Sequence, residues 1–318
     1  MVGLAANGQI ADKMAREKPK GGAGSVENGS IPVIRTLVEL RQIVRGWRSL
    51  KETVALLPTM GALHDGHLAL ARLGKARAQR LVTSIFVNPA QFAPHEDFDR
   101  YPRTIEADIE KLSEIGCDVV WAPEVAEMYP EGFATRIVPA GAAEGLESDF
   151  RPHFFGGVAT VCCKLFSQVQ PDLAVFGEKD YQQLCVIRQM ARDLDLPLEI
   201  VAGPTVREAD GLALSSRNRY LSPAERAIAP ALNRAILKLA EEVGNARRTG
   251  ALSARELTGL CDTAKQEILG AGFAKVDYVA VREAATLREP SPDSTRPLRV
   301  LAAAWLGKTR LIDNVAVN

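Results

Sequence analysis

The sequence predicts an α/β fold: a Rossmann-like parallel sheet with helices on both faces, followed by a smaller C-terminal α+β domain. Short, almost continuously apolar runs recur at 54–57, 81–87, 119–121, 173–176 and 198–201. Helical patterns separate them at 68–80, 105–115, 158–169 and 181–194. Strands that are apolar on both sides and alternate with helices belong to a buried parallel sheet. After Leu221 the pattern changes to helices followed by strands, which predicts the second domain.

Taken in order, the chain opens with residues 1–30, which carry no apolar core segment, so they read as a flexible extension and not as a secretory signal. A helix over about 37–45 precedes the first strand. The strand and helix patterns of the first domain then run to residue 206. In the second domain, 207–318, Ser222-Pro223-Ala224-Glu225 supplies an N-cap, a proline at the first helical position and a capping-box glutamate. These residues predict one long helix to about Val243, a loop over 245–250 and a second helix over 254–269. Strands at 276–281, 298–306 and 309–317 close the chain, with a loop at 288–297 and a tight turn at Gly307-Lys308.

Lys plus Arg and Asp plus Glu number 39 each, so the chain has no net charge and lacks the basic excess of a nucleic-acid binder. No apolar run approaches the ~18–20 residues of a membrane span. The five cysteines form no Cys-x-x-Cys pair and read as reduced, buried thiols of a cytoplasmic protein, none of them catalytic.

Chemistry concentrates at Pro58-Thr59-Met60-Gly61-Ala62-Leu63-His64-Asp65-Gly66-His67, where a strand hands over to a helix. Ligands of open α/β sheets bind at the carboxyl ends of the strands, and a helix N-terminus there attracts anions. His64 and His67 each offer an imidazole donor to a phosphate oxygen, and Gly66 lets a ligand approach the backbone. Two histidines three residues apart also suit a plain helix start; the strand–Pro–Gly–helix context favours phosphate. Asn88 and Gln91 stand at the end of the second strand, where uncharged amides read hydroxyl and carboxylate groups. Lys179, in Gly177-Glu178-Lys179-Asp180, suits a phosphate chain, and Asp180 suits a helix cap or a metal. Ser215, Ser216 and Arg217 lie in a mobile linker where they can clamp phosphate. Glu106 and Asp108 read as a solvated helix face, Asp108 being also a weak metal candidate; no residue is assigned as a metal ligand.

These motifs resemble the HxGH signature of the nucleotidyltransferase superfamily and, more closely, the pantothenate synthetase (pantoate–β-alanine ligase) family. The blocks at 84–92, 101–104, 176–184 and 207–222 follow in the family's order, so the resemblance runs from about Ile31 to the end. It implies ATP-dependent joining of (R)-pantoate to β-alanine through a pantoyl adenylate, with ATP and Mg²⁺ required and a homodimer as the assembly. It implies ATP contacts for Met60, Gly61, Ala62, Leu63, His64, Asp65, Gly66 and His67, for Gly177, Glu178, Lys179 and Asp180, for Val206, and for Leu214, Ser215, Ser216 and Arg217. His67, His64 and Lys179 would be catalytic, with His67 in a proton-donor role. Gln91 and Gln183 would bind pantoate, Gln91 also contacting β-alanine, and the second domain would act as a lid through residues 214–217. The sequence departs from the family at Phe154, where a histidine is usual, and at Gly156, where the family often has arginine; His153 stands one residue early.

Overall fold

The computed structural model describes residues 31–92, 98, 101–102, 104–250, 252–291 and 294–318. The expected extension at 1–30 and Arg103 of the Tyr-Pro-Arg-Thr block lie outside the described residues. Residues Ile31–Asn318 pack as one compact unit.

The first sheet contains β1 (Val33–Ile34), β2 (Val54–Thr59), β3 (Arg80–Ile85), β4 (Val119–Trp121), β5 (Leu173–Gly177) and β6 (Glu199–Gly203) in the order β1-β4-β3-β2-β5-β6, and every pairing is parallel. Successive strand residues enter opposite layers. Val54, Leu56, Val82, Val119, Trp121 and Phe176 join one core, while Ala55, Leu57, Leu81, Val120 and Val175 join the other. Burial on both faces is why these strands read as unbroken apolar runs.

Helices α1 (Leu37–Ser49), α2 (Asp65–Arg77), α3 (Ile105–Ile115), α4 (Phe154–Val169) and α5 (Tyr181–Asp193) cover this sheet. The C-terminal part holds α6 (Pro223–Ile228), α7 (Ala231–Arg248), α8 (Ala254–Gly270) and an antiparallel sheet of β7 (Lys275–Glu283), β8 (Leu298–Leu306) and β9 (Thr309–Ala316) over a core of its own. No helix among the described residues is long and apolar enough to cross a membrane.

Several boundaries differ from the sequence reading for identifiable reasons. β1 has two residues and depends on pairing with β4. α2 begins at Asp65, because His64 caps it, and Arg80 belongs to β3, where its guanidinium forks between Glu52 and Asp118. The helix expected from Ser222 to Val243 is two helices, broken at Pro230, which has no backbone N–H to donate. The predicted loop at 245–250 is helical to Arg248, because Arg247 donates to the carbonyls of Ser294 and Arg296 and Arg248 to that of Asn318.

Strand order reverses between β2 and β5, which pair directly. The segments that follow these two strands carry His64, His67 and Lys179, so the topology brings motifs more than a hundred residues apart to one crevice. A third segment, Asn88–Gln91, is pressed against this crevice by α4. A Cβ on Gly157 would lie 2.3 Å from the Ala90 carbonyl oxygen and 2.8 Å from Gln91 Cα. Gly157→Ala is therefore expected to cost about 1–3 kcal/mol in denaturant unfolding, the usual range for overpacking. It should also displace Gln91, which a rise in KM for the ligand held there would reveal.

Candidate functional site

A cleft of about 1120 Å³ opens at the strand-order reversal. Its wall includes Met60, His64, Gly66 and His67 after β2, Asn88 and Gln91 after β3, and Gly177, Lys179, Asp180 and Gln183 after β5. Val206, Leu214, Ser215, Ser216 and Arg217 close it from the C-terminal side.

The two histidines build the helix start themselves. His64 is the N-cap of α2: its Nδ1 accepts from the Gly66 N–H at 3.2 Å. His67, three residues on, accepts the His64 N–H at its own Nδ1 at 3.4 Å. This is a capping box made of imidazoles. The helix-start role and a ligand role are thus compatible, since capping consumes Nδ1 and leaves Nε2. An Nδ1 that accepts must be unprotonated, so each neutral ring carries its proton on Nε2. The ring centroids are 4.1 Å apart. Burial, with Lys179 adding to it, pushes His64 down to about 4. Burial and the neighbouring His64 push His67 down to about 3. At neutral pH the pair is two uncharged N–H donors. Gly66 has an internal reason to be glycine: a Cβ there would stand 2.9 Å from the His64 ring.

Behind the histidines the chain turns through two left-handed residues, Gly61 (φ +81°) and Ala62 (φ +53°). Asp108 holds this turn. Its carboxylate oxygens accept the N–H groups of Ala62 and Leu63, both at 2.8 Å, while Lys111 donates to the Leu63 carbonyl at 2.7 Å. Asp108 is 1% exposed, so the solvated-face expectation fails for it, and its lone pairs face amides. A sequence signal exists: Asp108 and Lys111 sit one helical turn apart on α3, but only the fold aims that face at β2. Ala62 and Leu63 are buried with their N–H groups committed to Asp108, and neither lines the cleft; nor do Gly61, Asp65 and Glu178.

Asn88 is fully engaged. It donates to Gln91 Oε1 and the Gly157 carbonyl, both at 3.1 Å, and accepts from Tyr129 and Ala90. It orients Gln91, whose other amide atom meets Met60 Sδ at 2.9 Å. Both Gln182 and Gln183 are on the cleft wall, but the Gln182 amide is bonded to the Glu147 N–H and the carbonyls of Ala142 and Gly145. Asp180 is the N-cap residue of α5 but makes no side-chain cap bond; it lies 3.6 Å from Lys179 Nζ. The Ser215–Arg217 segment is not a free linker. Arg226 grips Glu208 and Asp210 at its base, and Asn218 donates to the Ala213 carbonyl. Phe154 lines the cleft, whereas His153 is exposed at the start of α4 and does not. Burial raises the Cys162 thiol to about 12 and the Cys185 thiol to about 11, so neither is a thiolate at neutral pH. No cluster of three or more metal-ligating side chains occurs among the described residues.

Neutral imidazole donors, a lysine and two glutamine amides around a helix start at a strand-order reversal are what an α/β enzyme needs at a site for an anionic ligand. Comparison with known proteins is specific. The family model of the Pantoate-beta-alanine ligases matches residues 32–316. A pantothenate synthetase 2 of Bradyrhizobium diazoefficiens is 56% identical over 286 residues, covering 90% of this chain and 98% of that protein. The crystal structure of pantothenate synthetase from Thermus thermophilus superposes with a TM-score of 0.82 at 44% identity, covering 90% of this chain and 99% of that one. A pantoate-beta-alanine ligase from Francisella tularensis, described as complexed with beta-gamma ATP and beta-alanine, gives a TM-score of 0.74 at 30% identity over 90% of this chain and 98% of that one. The chain belongs to the pantoate–β-alanine ligase family.

Two outcomes test this geometry. The depressed pair prefers the neutral form when folded, so it contributes stability above the unfolded pKa of about 6.5 that is lost as pH falls toward 4 and 3. Imidazole ¹⁵N spectra at pH 6 should show both rings neutral with the proton on Nε2; titration of either near 6.5 would refute the capping assignment. Asp108→Asn should cost about 2–3 kcal/mol in denaturant unfolding, since each backbone N–H uses a different carboxylate oxygen and one of the two would become an NH₂ group facing a donor.

Proposed function

We propose that the chain condenses (R)-pantoate with β-alanine in two steps at one cleft, using ATP. A carboxylate is a poor acyl donor, so it is activated first. A pantoate carboxylate oxygen attacks the α-phosphorus, the bond to the bridging oxygen breaks, and pyrophosphate leaves. The amine of β-alanine then attacks the adenylate carbonyl; the C–O bond to AMP breaks and pantothenate forms. No side chain becomes covalently modified.

The observation that carries this reading is the pair of Nε2–H donors on the cleft wall with Lys179 beside them. Neutral donors at an α-phosphate stabilise charge that develops in the transition state. They also leave the pantoate carboxylate un-neutralised as a nucleophile. With the ring neutral, what His67 gives the phosphate is a hydrogen bond, and transfer of its proton is not required. Lys179, Ser215, Ser216 and Arg217 hold the β- and γ-phosphates and the departing pyrophosphate. Gln91 and Gln183 grip pantoate. Magnesium fits as a partner of the triphosphate, because it needs few protein carboxylates when phosphates supply the other oxygens. Asp180 is the carboxylate next to Lys179 that would hold it. When bound, the ion would neutralise phosphate charge. The family membership and the ligands named for the Francisella relative support the same reading.

Pyrophosphate release should need ATP, Mg²⁺ and pantoate but not β-alanine, and AMP release should need β-alanine as well. His67→Ala should slow single-turnover pyrophosphate release by roughly 10²–10³-fold, the loss typical of one preorganised donor. Release independent of pantoate, or an unaffected variant, would sink the proposal.

A further inference from the structure

The last strand grips both phosphate-facing segments of the cleft, one from each of two adjacent residues. Side chains of neighbouring strand residues point to opposite faces. On β9 these residues are Asp313 and Asn314, which are 5% and 3% exposed. The Asn314 amide spends its donors on two consecutive carbonyls, those of Glu178 at 2.9 Å and Lys179 at 2.8 Å. Its oxygen accepts from Arg299 Nε at 2.6 Å, and the same guanidinium reaches Glu178 at 3.1 Å and lies over the Tyr181 ring, 3.7 Å from its centroid. Asp313 takes a two-pronged bond from Arg207, at 2.7 and 2.8 Å, and a third from Asn233 at 3.0 Å. Arg207 also donates to the Gly211 carbonyl, and the Leu214 N–H bonds back to Val206, so Asp313 anchors the hairpin that delivers Ser215 and Arg217.

We propose that Asn314 is a positioning residue for Lys179, and that Asp313 and Asn314 together set the spacing between the Lys179 segment and the Ser215–Arg217 segment. The proposal rests on the ATP-dependent reading above, because it assigns these two segments to one triphosphate. The C-terminal sheet then does more than cover the cleft. Its edge strand is a rigid spacer between two loops that do not otherwise belong to the same sheet. Both residues are on the cleft wall, with their side-chain polar atoms committed to the partners named above. The carbonyls fixed by Asn314 are those of Lys179 and of the residue before it, so a shift there moves the ammonium by a comparable distance. Misplacement by about an ångström at such a group costs up to about 10²-fold in rate.

The test uses the full chain with Asn314→Ala and Asn314→Asp. The alanine variant removes both donors; the aspartate variant keeps the shape and turns an acceptor toward two carbonyls. Each should lower kcat for pantoate-dependent pyrophosphate release by about 10–100-fold and weaken ATP, with KM for pantoate within about twofold of the parent. A double-mutant cycle on calorimetric ATP affinity separates positioning from general support. If Asn314 acts through Lys179, Asn314→Ala adds less than about threefold in a Lys179→Ala background. Equal losses in both backgrounds, or KM values for ATP and pantoate rising together, overturn the proposal. Failure of both variants to fold overturns it too, by assigning Asn314 a purely structural role. A parent protein with no pantoate-dependent pyrophosphate release would instead defeat the functional reading.

Discussion

The two bonds that cap α2, from the Gly66 N–H to His64 Nδ1 and from the His64 N–H to His67 Nδ1, are the constraint on which the rest of the site depends. A helix start leaves backbone N–H groups without partners, and small polar side chains usually satisfy them. Here two imidazoles do so, and the choice fixes their chemistry. Nδ1 is consumed inward, Nε2–H is presented outward, and the tautomer is set by the backbone. Asp108 and Lys111 hold the preceding left-handed turn from the other side, one by accepting amides and the other by donating to a carbonyl. The donors are therefore fixed in place before any ligand arrives. That preorganisation is what allows a hydrogen bond to stabilise a transition state without a reorganisation cost.

The charge state of the pair follows from the same packing. A buried imidazole loses the hydration its cation would need, and a nearby ammonium adds repulsion. Both effects act on His64, whose neighbour Lys179 comes from the loop after β5. The division of labour is clean. In the proposed reaction, neutral histidines would serve the position where charge is rearranged, and permanent cations the phosphates whose charge persists. A protonated pair would break its own cap, because neither Nδ1 could then accept.

The C-terminal sheet is tied to this arrangement by bonds that are mostly buried and charged. Besides Asp313 and Asn314, Arg310 pairs with Glu147 at 2.8 Å, and Tyr278 donates to the same carboxylate at 2.8 Å. Rigid-body opening of the whole C-terminal part would have to break these contacts, and losing one partner of a buried ion pair is costly.

The sequence by itself determined the layered fold, the central helices and strands, and the place where chemistry would gather. Strands buried on both faces leave apolar runs, and a His-x-Gly-His segment at a strand end leaves a local signature that needs no partner to be seen. Tertiary structure decided what local pattern could not contain. A solvated and a buried face of α3 read alike until α3 is docked, so Asp108 passes for a surface carboxylate along the chain. Asn88 stands on the cleft wall, and only the fold shows that Gly157 and Tyr129 share its amide. β1 exists only because β4 lies beside it, and the continuous helix after Ser222 fails at a proline visible in the sequence. Asp313 and Asn314 sit more than a hundred residues from Lys179, and their role is a matter of distance in space, which no reading along the chain supplies.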